Sequence, residues 1–145
     1  MDLTRRETLV LGAAAAAAAL PKTSQAAPDE EVAQAIQDFT KGAELRTGEI
    51  EMSVADIADN GFAVPITVSA PGAREIVIIA PGNPIPRLVT FRFGKFSKPE
   101  VSTKIRMAQS QDLMAIAKLA DGTFTKTEKW VIVTVGGCGA PETTG

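Results

Sequence analysis

Residues 49–72 read EIEMSVADIADNGFAVPITVSAPG. Ile50, Met52 and Val54 alternate with Glu49, Glu51 and Ser53, and after the Asn60-Gly61 turn Val64, Ile66 and Val68 alternate again. A period of two puts neighbouring side chains on opposite faces of an extended chain, so each segment reads as a strand with one buried and one wet face. Outward from this stretch, similar runs follow at 75–79, 89–93, 101–107, 113–119 and 128–135. Turn signals separate them at Pro71-Gly72, Pro81-Gly82-Asn83-Pro84, Gly94 and Asp121-Gly122. About seven short strands at this spacing predict an all-β fold, an immunoglobulin-like β-sandwich. Pro65 has no N–H to give to a ladder, so its strand is expected at a sheet edge or with a bulge.

Ahead of the strands, Asp29, Glu30 and Glu31 open a segment in which Val32, Ala35, Ile36 and Phe39 recur at helical spacing, followed by Lys41-Gly42. Carboxylates at the start suit the helix dipole and glycine at the end suits a left-handed cap, which predicts one short N-terminal helix. Further upstream stand Arg5-Arg6, an uncharged alanine-dominated run at 9–20 and the small-residue pattern Ser24-Gln25-Ala26. This is the layout of a cleavable export signal of the twin-arginine kind, the alternative being an N-terminal amphipathic or buried helix. The run falls short of the roughly 18 apolar residues that span a bilayer. Thr8 stands where such signals usually carry a large apolar residue, so the pattern speaks for export more than for the route. The expected organisation is a signal over 1–26, a sandwich domain over 27–135 and a flexible C-terminal arm over 136–145. The expected location is the periplasm, with no membrane attachment after signal removal.

Without residues 1–26, about 119 residues remain, with 12 basic against 15 acidic side chains. That is one domain with one core, and its mild acidity argues against nucleic acid as the main partner. The chain has no histidine. A Ser-His-Asp triad, a Cys-His pair, a histidine-rich zinc or copper site and an imidazole base are therefore excluded. Its single cysteine excludes an intramolecular disulfide, a C-x-x-C pair and a cysteine metal cluster. Neither a metal nor a cofactor is expected.

Three features stand out. Arg87, Arg92, Lys95, Lys98, Lys104 and Arg106 place six cations against Glu100 alone within 87–106. With Phe91, Phe93, Ile105 and Met107 turned inward, the cations point out, either as a basic face for an anionic ligand or acidic partner or, as favoured here, as the solvated outer face of a hairpin. Trp130 is either an interface anchor or, the favoured reading, core filling. Cys138 differs from both, because Gly136, Gly137 and Gly139 strip the surrounding backbone of side chains and widen its conformational range. Three extended residues beyond Val135 reach about 10 Å, enough to lift a thiol off the domain. A free thiol has a pKa of about 8.5, and no neighbouring cation, helix N-terminus or metal lowers it here. Cys138 therefore suits attachment better than independent catalysis, the plainer readings being an idle tail thiol or a disulfide-linked dimer.

The segments KGAELRTGEIEMSVADIADNGFAVPITVSAPG, APGNPIP, VTFRFG, EVSTKIRMA and LADGTFTKTEKWVIVTVGGCG together resemble the SoxY family, the sulfur-carrying subunits of the periplasmic thiosulfate-oxidising (Sox) system. The Gly-Cys-Gly arm after VIVTV is the most specific part of the likeness. The resemblance implies an immunoglobulin-like sandwich paired with a second small sandwich, SoxZ. It further implies a cysteine that carries sulfur intermediates covalently and that partner enzymes act upon. These are a c-type cytochrome enzyme, SoxXA, that joins thiosulfate to it oxidatively, a hydrolase, SoxB, that releases sulfate, and a sulfane dehydrogenase. By position the attachment residue is Cys138, with Gly136, Gly137 and Gly139 as the arm and no catalytic residue. Where the family's chains usually end Gly-Gly-Cys-Gly-Gly, here Gly139 is followed by Ala140 and Pro141-Glu142-Thr143-Thr144-Gly145, which adds bulk and negative charge near the thiol.

The expected function is thus a covalent sulfur carrier, not an enzyme. The alternative is an exported sandwich module whose cysteine forms an intermolecular disulfide, and a thiol enzyme would lack any evident base. Cys138→Ser is expected to leave folding stability within about 0.5 kcal/mol, as for an exposed position, while abolishing carrier activity. Thermal denaturation of the two proteins checks this, since a large drop in melting temperature would mean a buried thiol.

Overall fold

The computed structural model describes residues 29–135. It opens with helix α1 (Asp29–Thr40) and continues through nine strands: β1 (Leu45–Thr47), β2 (Glu51–Val54), β3 (Ile57–Ala58), β4 (Val64–Ser69), β5 (Ala73–Ile79), β6 (Arg87–Arg92), β7 (Glu100–Ile105), β8 (Gln111–Leu119) and β9 (Phe124–Val133). Seven of these answer to the alternating runs; β1 and β3 are additional. The strands form two sheets, one in the order β1-β9-β8-β5-β6 with β3 also beside β9, the other β2-β4-β7. The sandwich expected from the alternation is present.

Alternation decides which residues meet between the sheets. Val64, Ile66 and Val68 of β4 face Ile76 and Ile78 of β5, Leu113 and Ala115 of β8, and Val131 and Val133 of β9, all buried in one core. The other face of the large sheet is buried too, because α1 lies on it. Ala35 packs with Val77, Ile79, Met114, Ile116 and Phe124, and Val32, Ile36 and Phe39 close the margin. Phe39 meets Phe124 edge-on with ring centroids 5.7 Å apart. A strand covered on both faces reads as a continuous apolar run, which accounts for IVII at 76–79. At its end the helix unwinds through two left-handed residues, Lys41 with φ 56° and the predicted cap Gly42 with φ 79°.

Three expectations are corrected. The strand containing Pro65 is not an edge, since β4 is the middle of the small sheet. β2 has however ended before it: the last β2–β4 pair is Val54↔Ile66, and Pro65 is matched only by Lys104 of β7. The missing donor therefore falls where one flank is open. Arg87–Arg92 and Glu100–Ile105 are not a hairpin, because β6 pairs with β5 in the large sheet and β7 with β4 in the small one. Trp130 is not core filling; it is 54% exposed. Val131 and Val133 take the inward positions of β9, and the pleat turns Trp130 and Ile132 out.

One end of the sandwich is tied by a polar network that the sequence does not advertise. Gln111 is buried, and its Oε1 accepts from Gly82 N at 2.6 Å while its Nε2 donates to Asn83 Oδ1 at 2.9 Å. Asn83 Oδ1 also accepts from Ala108 N at 2.8 Å, and Asn83 Nδ2 donates to the Arg106 carbonyl at 2.8 Å. The Pro81-Gly82-Asn83-Pro84 turn is thereby fastened to the chain entering β8. A Cβ at 82 would stand 2.9 Å from Gln111 Cδ, so a larger residue there would have to push the Gln111 amide aside. At the opposite end, the β8–β9 turn is set by Asp121, whose Oδ1 accepts from Thr123 Oγ1 at 2.6 Å and Thr123 N at 2.9 Å. Gly122 takes φ 84° in that turn.

Gln111→Leu keeps most of the volume but orphans the buried Gly82 N–H, and is expected to cost about 1–3 kcal/mol. Urea denaturation should show a lower midpoint with an unchanged slope. The Thr123 hydroxyl, and after it the Thr123 N–H, hold the Asp121 carboxyl below the usual carboxylate range. A depressed folded-state pKa gives stability that is present above the unfolded value and lost as pH falls through the folded one. Asp121→Ala should therefore melt at a lower temperature than wild type at pH 7, and the gap should close as pH drops below about 4.

Candidate functional site

The predicted attachment residue Cys138 and the arm glycines Gly136, Gly137 and Gly139 lie outside the described residues, as do the predicted signal at 1–26 and the last residues of the arm. What the structure describes is the root from which the arm departs. There β9 is gripped from both sides. Its inward side chains Val131 and Val133 are fully buried. Along one flank β8 pairs with it antiparallel, beginning at Gln111↔Val131, and Val133 N donates to Ser110 Oγ at 2.9 Å. Along the other flank β3 runs parallel, with Ile57↔Ile132 and Ala58↔Val133 in register.

The grip continues past the strand. Ile132 N donates to the Asp56 carbonyl at 2.9 Å, Thr134 N to the Ala58 carbonyl at 3.1 Å, and Gly61 N to the Val135 carbonyl at 2.8 Å. Thr134 Oγ1 adds a bond to the Asp59 carbonyl at 3.0 Å. Gly61 is itself fastened, because its carbonyl accepts from Met107 N at 2.8 Å, and Asn60 Oδ1 accepts from Phe62 N at 2.9 Å. The Asn60-Gly61 turn thus serves as a clamp on the last carbonyl before the glycines. Lys129 braces the same flank, its Nζ reaching the Val54 carbonyl at 2.6 Å and Asp56 Oδ1 at 3.0 Å.

Hydrogen bonding therefore holds the backbone through Val135, and Cys138 follows three residues later. Three extended residues span about 10 Å. The described residues thus form a fixed post that ends at the Val135 carbonyl, three positions before Cys138 in the sequence.

The cations predicted as a cluster are distributed differently. Arg87 and Arg92 lie on β6 and Lys104 on β7, the free edges of two different sheets, with Arg106 just beyond. Between these edges Leu88, Val89, Phe91, Thr103, Lys104 and Arg106 line a cleft of about 360 Å³. Phe91 and Phe93 are half-buried against the core while Ile105 and Met107 are fully inside, so the predicted inward set is correct. Two of the cations are already paired, Arg92 with Glu75 at 3.6 Å and Lys98 with Glu100 at 2.9 Å. A larger cleft of about 690 Å³ between α1 and β6 mixes Lys41, Arg87 and Lys118 with Asp38 and Glu75. The smaller cleft is thus cationic, its charged lining being Lys104 and Arg106, whereas the larger one mixes both signs. Among the described residues no group of three or more acidic side chains is placed to hold a metal ion.

Around the arm root lies a feature that periodicity alone concealed. Ile57 is 56% and Ile132 is 43% exposed, and with Trp130 they share the outer face of the large sheet beyond the end of α1. Four apolar letters in a row, Trp130 to Val133, hide which two face out. Only the register with Gln111 and Asp112 separates them.

A family model described as sulfur oxidation protein SoxY matches residues 36–138, from within α1 through every strand to the lone cysteine. The sulfur carrier protein SoxY from Chlorobium limicola f thiosulfatophilum is 31% identical, with a TM-score of 0.64, and the match covers 74% of this chain and 100% of that one. The superoxide reductase (neelaredoxin) from Ignicoccus hospitalis is 19% identical with a TM-score of 0.52, covering 75% of this chain and 94% of its own, and that likeness shows the fold alone. No curated protein sequence matches the chain. With one sequence model spanning strands and cysteine together, and a solved relative matched over its whole length, the chain belongs to the SoxY family of sulfur oxidation proteins.

Proposed function

We propose that this protein is a covalent carrier of sulfur intermediates in periplasmic thiosulfate or sulfur oxidation, holding them on Cys138 while partner enzymes act on them. The observation that carries this reading is where the family match ends: on Cys138, the chain's only cysteine, three residues past the clamped Val135 carbonyl. The chemistry asks little of the carrier itself. Joining a Cys138 thiolate to the outer sulfur of thiosulfate forms an S–S bond and releases two electrons, which an oxidised cytochrome of the SoxXA kind accepts. Hydrolysis of the resulting Cys–S–S–SO₃⁻ by a SoxB-like enzyme consumes water, releases sulfate and leaves a persulfide on the carrier. A sulfane dehydrogenase would oxidise that remaining sulfur.

Each step needs the thiol inside another protein, so a short tether on a rigid post serves better than a fixed pocket on the carrier. A SoxZ-like sandwich is the proposed permanent partner. The twin arginines, the alanine-rich run and the small-residue site support export, the twin-arginine route being the proposed path.

Intact-mass spectrometry of the protein recovered from thiosulfate-grown cells of the source organism is expected to show a Cys138 adduct one S₂O₃ unit heavier, absent in Cys138→Ser. A thiol that stays unmodified there, with only a reductant-sensitive dimer, would replace the carrier by the disulfide-linked module.

A further inference from the structure

Seven large apolar side chains are exposed among the described residues: Ile57, Phe62, Ile85, Phe96, Trp130, Ile132 and Val135. Five of them are gathered at the arm root. Trp130, Ile132 and Val135 lie on β9 or its extension, Ile57 is the register partner of Ile132, and Phe62 follows the glycine that clamps the Val135 carbonyl. Scattered exposed apolar residues need no explanation, but three that register and pleat place on one sheet face, Trp130, Ile132 and Ile57, do. α1 covers the other half of this sheet face and leaves this half bare.

We propose that the outer face of β3 and the end of β9, centred on Trp130, Ile132 and Ile57, is the seat for an enzyme that takes the Cys138 arm into its active site. The proposal rests on the carrier reading. It follows from reach: a protein enclosing Cys138 must bring its own surface within about 10 Å of Val135, and this face is what it meets there.

Size separates this occupant from a permanent subunit. Five partly exposed side chains offer on the order of a few hundred Å², against about 800 Å² per partner in a standard stable interface. An area that small suits a visitor that must leave after each step. The rim gives the visitor's chemistry. Asp56 is neutralised by Lys129, while Asp59 and Asp112, the latter directly opposite Trp130, have no ion-pair partner among the described residues. The complementary surface is an apolar shelf edged with lysine or arginine, beside a channel for the thiol.

The test mixes equal amounts of full-length wild type and Trp130→Ser/Ile132→Ser, distinguished by ¹⁵N labelling, with thiosulfate and the soluble fraction of thiosulfate-grown source cells. Mass spectrometry follows the adduct on each. The double variant is expected to load about tenfold more slowly, as for loss of a tryptophan anchor. Its melting temperature and its rate of Cys138 alkylation by N-ethylmaleimide should match wild type. Phe96→Ser, at a still more exposed aromatic in the loop after β6, should load within twofold of wild type. Equal loading of the double variant and wild type would overturn the proposal while leaving the carrier reading intact. No loading of wild type would overturn the carrier reading itself. A purified wild-type particle whose mass falls to that of one chain on Trp130→Ser would assign the face to a permanent subunit or second copy, and would equally overturn it.

Discussion

Val131 and Val133 are buried to the last atom while the backbone between and beyond them is hydrogen-bonded on two flanks, and this double hold on β9 is the constraint around which the molecule is organised. If Cys138 carries cargo as proposed, it is delivered to a defined place only when the strand leading to it does not move. Most strands that end a sheet present one unpaired side, which frays readily. Here β1 and β3 fill that side at opposite ends of β9, in parallel, though they are only three and two residues long. Their brevity suggests no independent stability. They exist because β9 offers them partners, and in return they complete its ladder up to the start of the glycines.

The two faces of the large sheet divide the remaining work. The inner face, against β2, β4 and β7, provides the core that holds the domain together. The outer face is split: α1 covers the half near Phe124 and leaves the half near Trp130 open. α1 spans 12 residues, about 18 Å, and of the ten residues of β9 only Phe124 joins the cluster it covers. Helix placement thus decides how much of the sheet is available to other molecules.

Much of this was legible in the residues. Alternation at 49–54 and 64–68 named the strands of the small sheet because one side of each faces the core and the other faces water. The helix was legible for the same reason at a period of 3.6. β1 and β3 were not, since pairing of so short a segment is decided by what lies beside it and not by its own pattern. The first half of β9 was missed because Thr125, Lys126 and Thr127 look like a polar loop; pairing with β8 and β1 makes them strand. The hairpin expected from 87–106 failed because two strands adjacent in sequence can belong to different sheets, and local text carries no sign of that crossing. The proposed site was read from a cysteine among glycines, which lies outside the described residues. Its anchorage through Asn60-Gly61, Ser110 and Gln111 was not legible, because those residues are far apart in the chain and individually ordinary.

Two of the free edges, β6 and β7, carry Arg87, Arg92 and Lys104 among their exposed positions. An unpaired edge is a template for adding another chain, and repulsion between like charges is one way natural sheets prevent that polymerisation. For a protein proposed to circulate among several enzymes, this matters at high local abundance: molecules can crowd together without stitching into fibrils. The cationic edges would then serve as a solubility device, keeping the population dispersed so that encounters are made through the opposite side of the sheet.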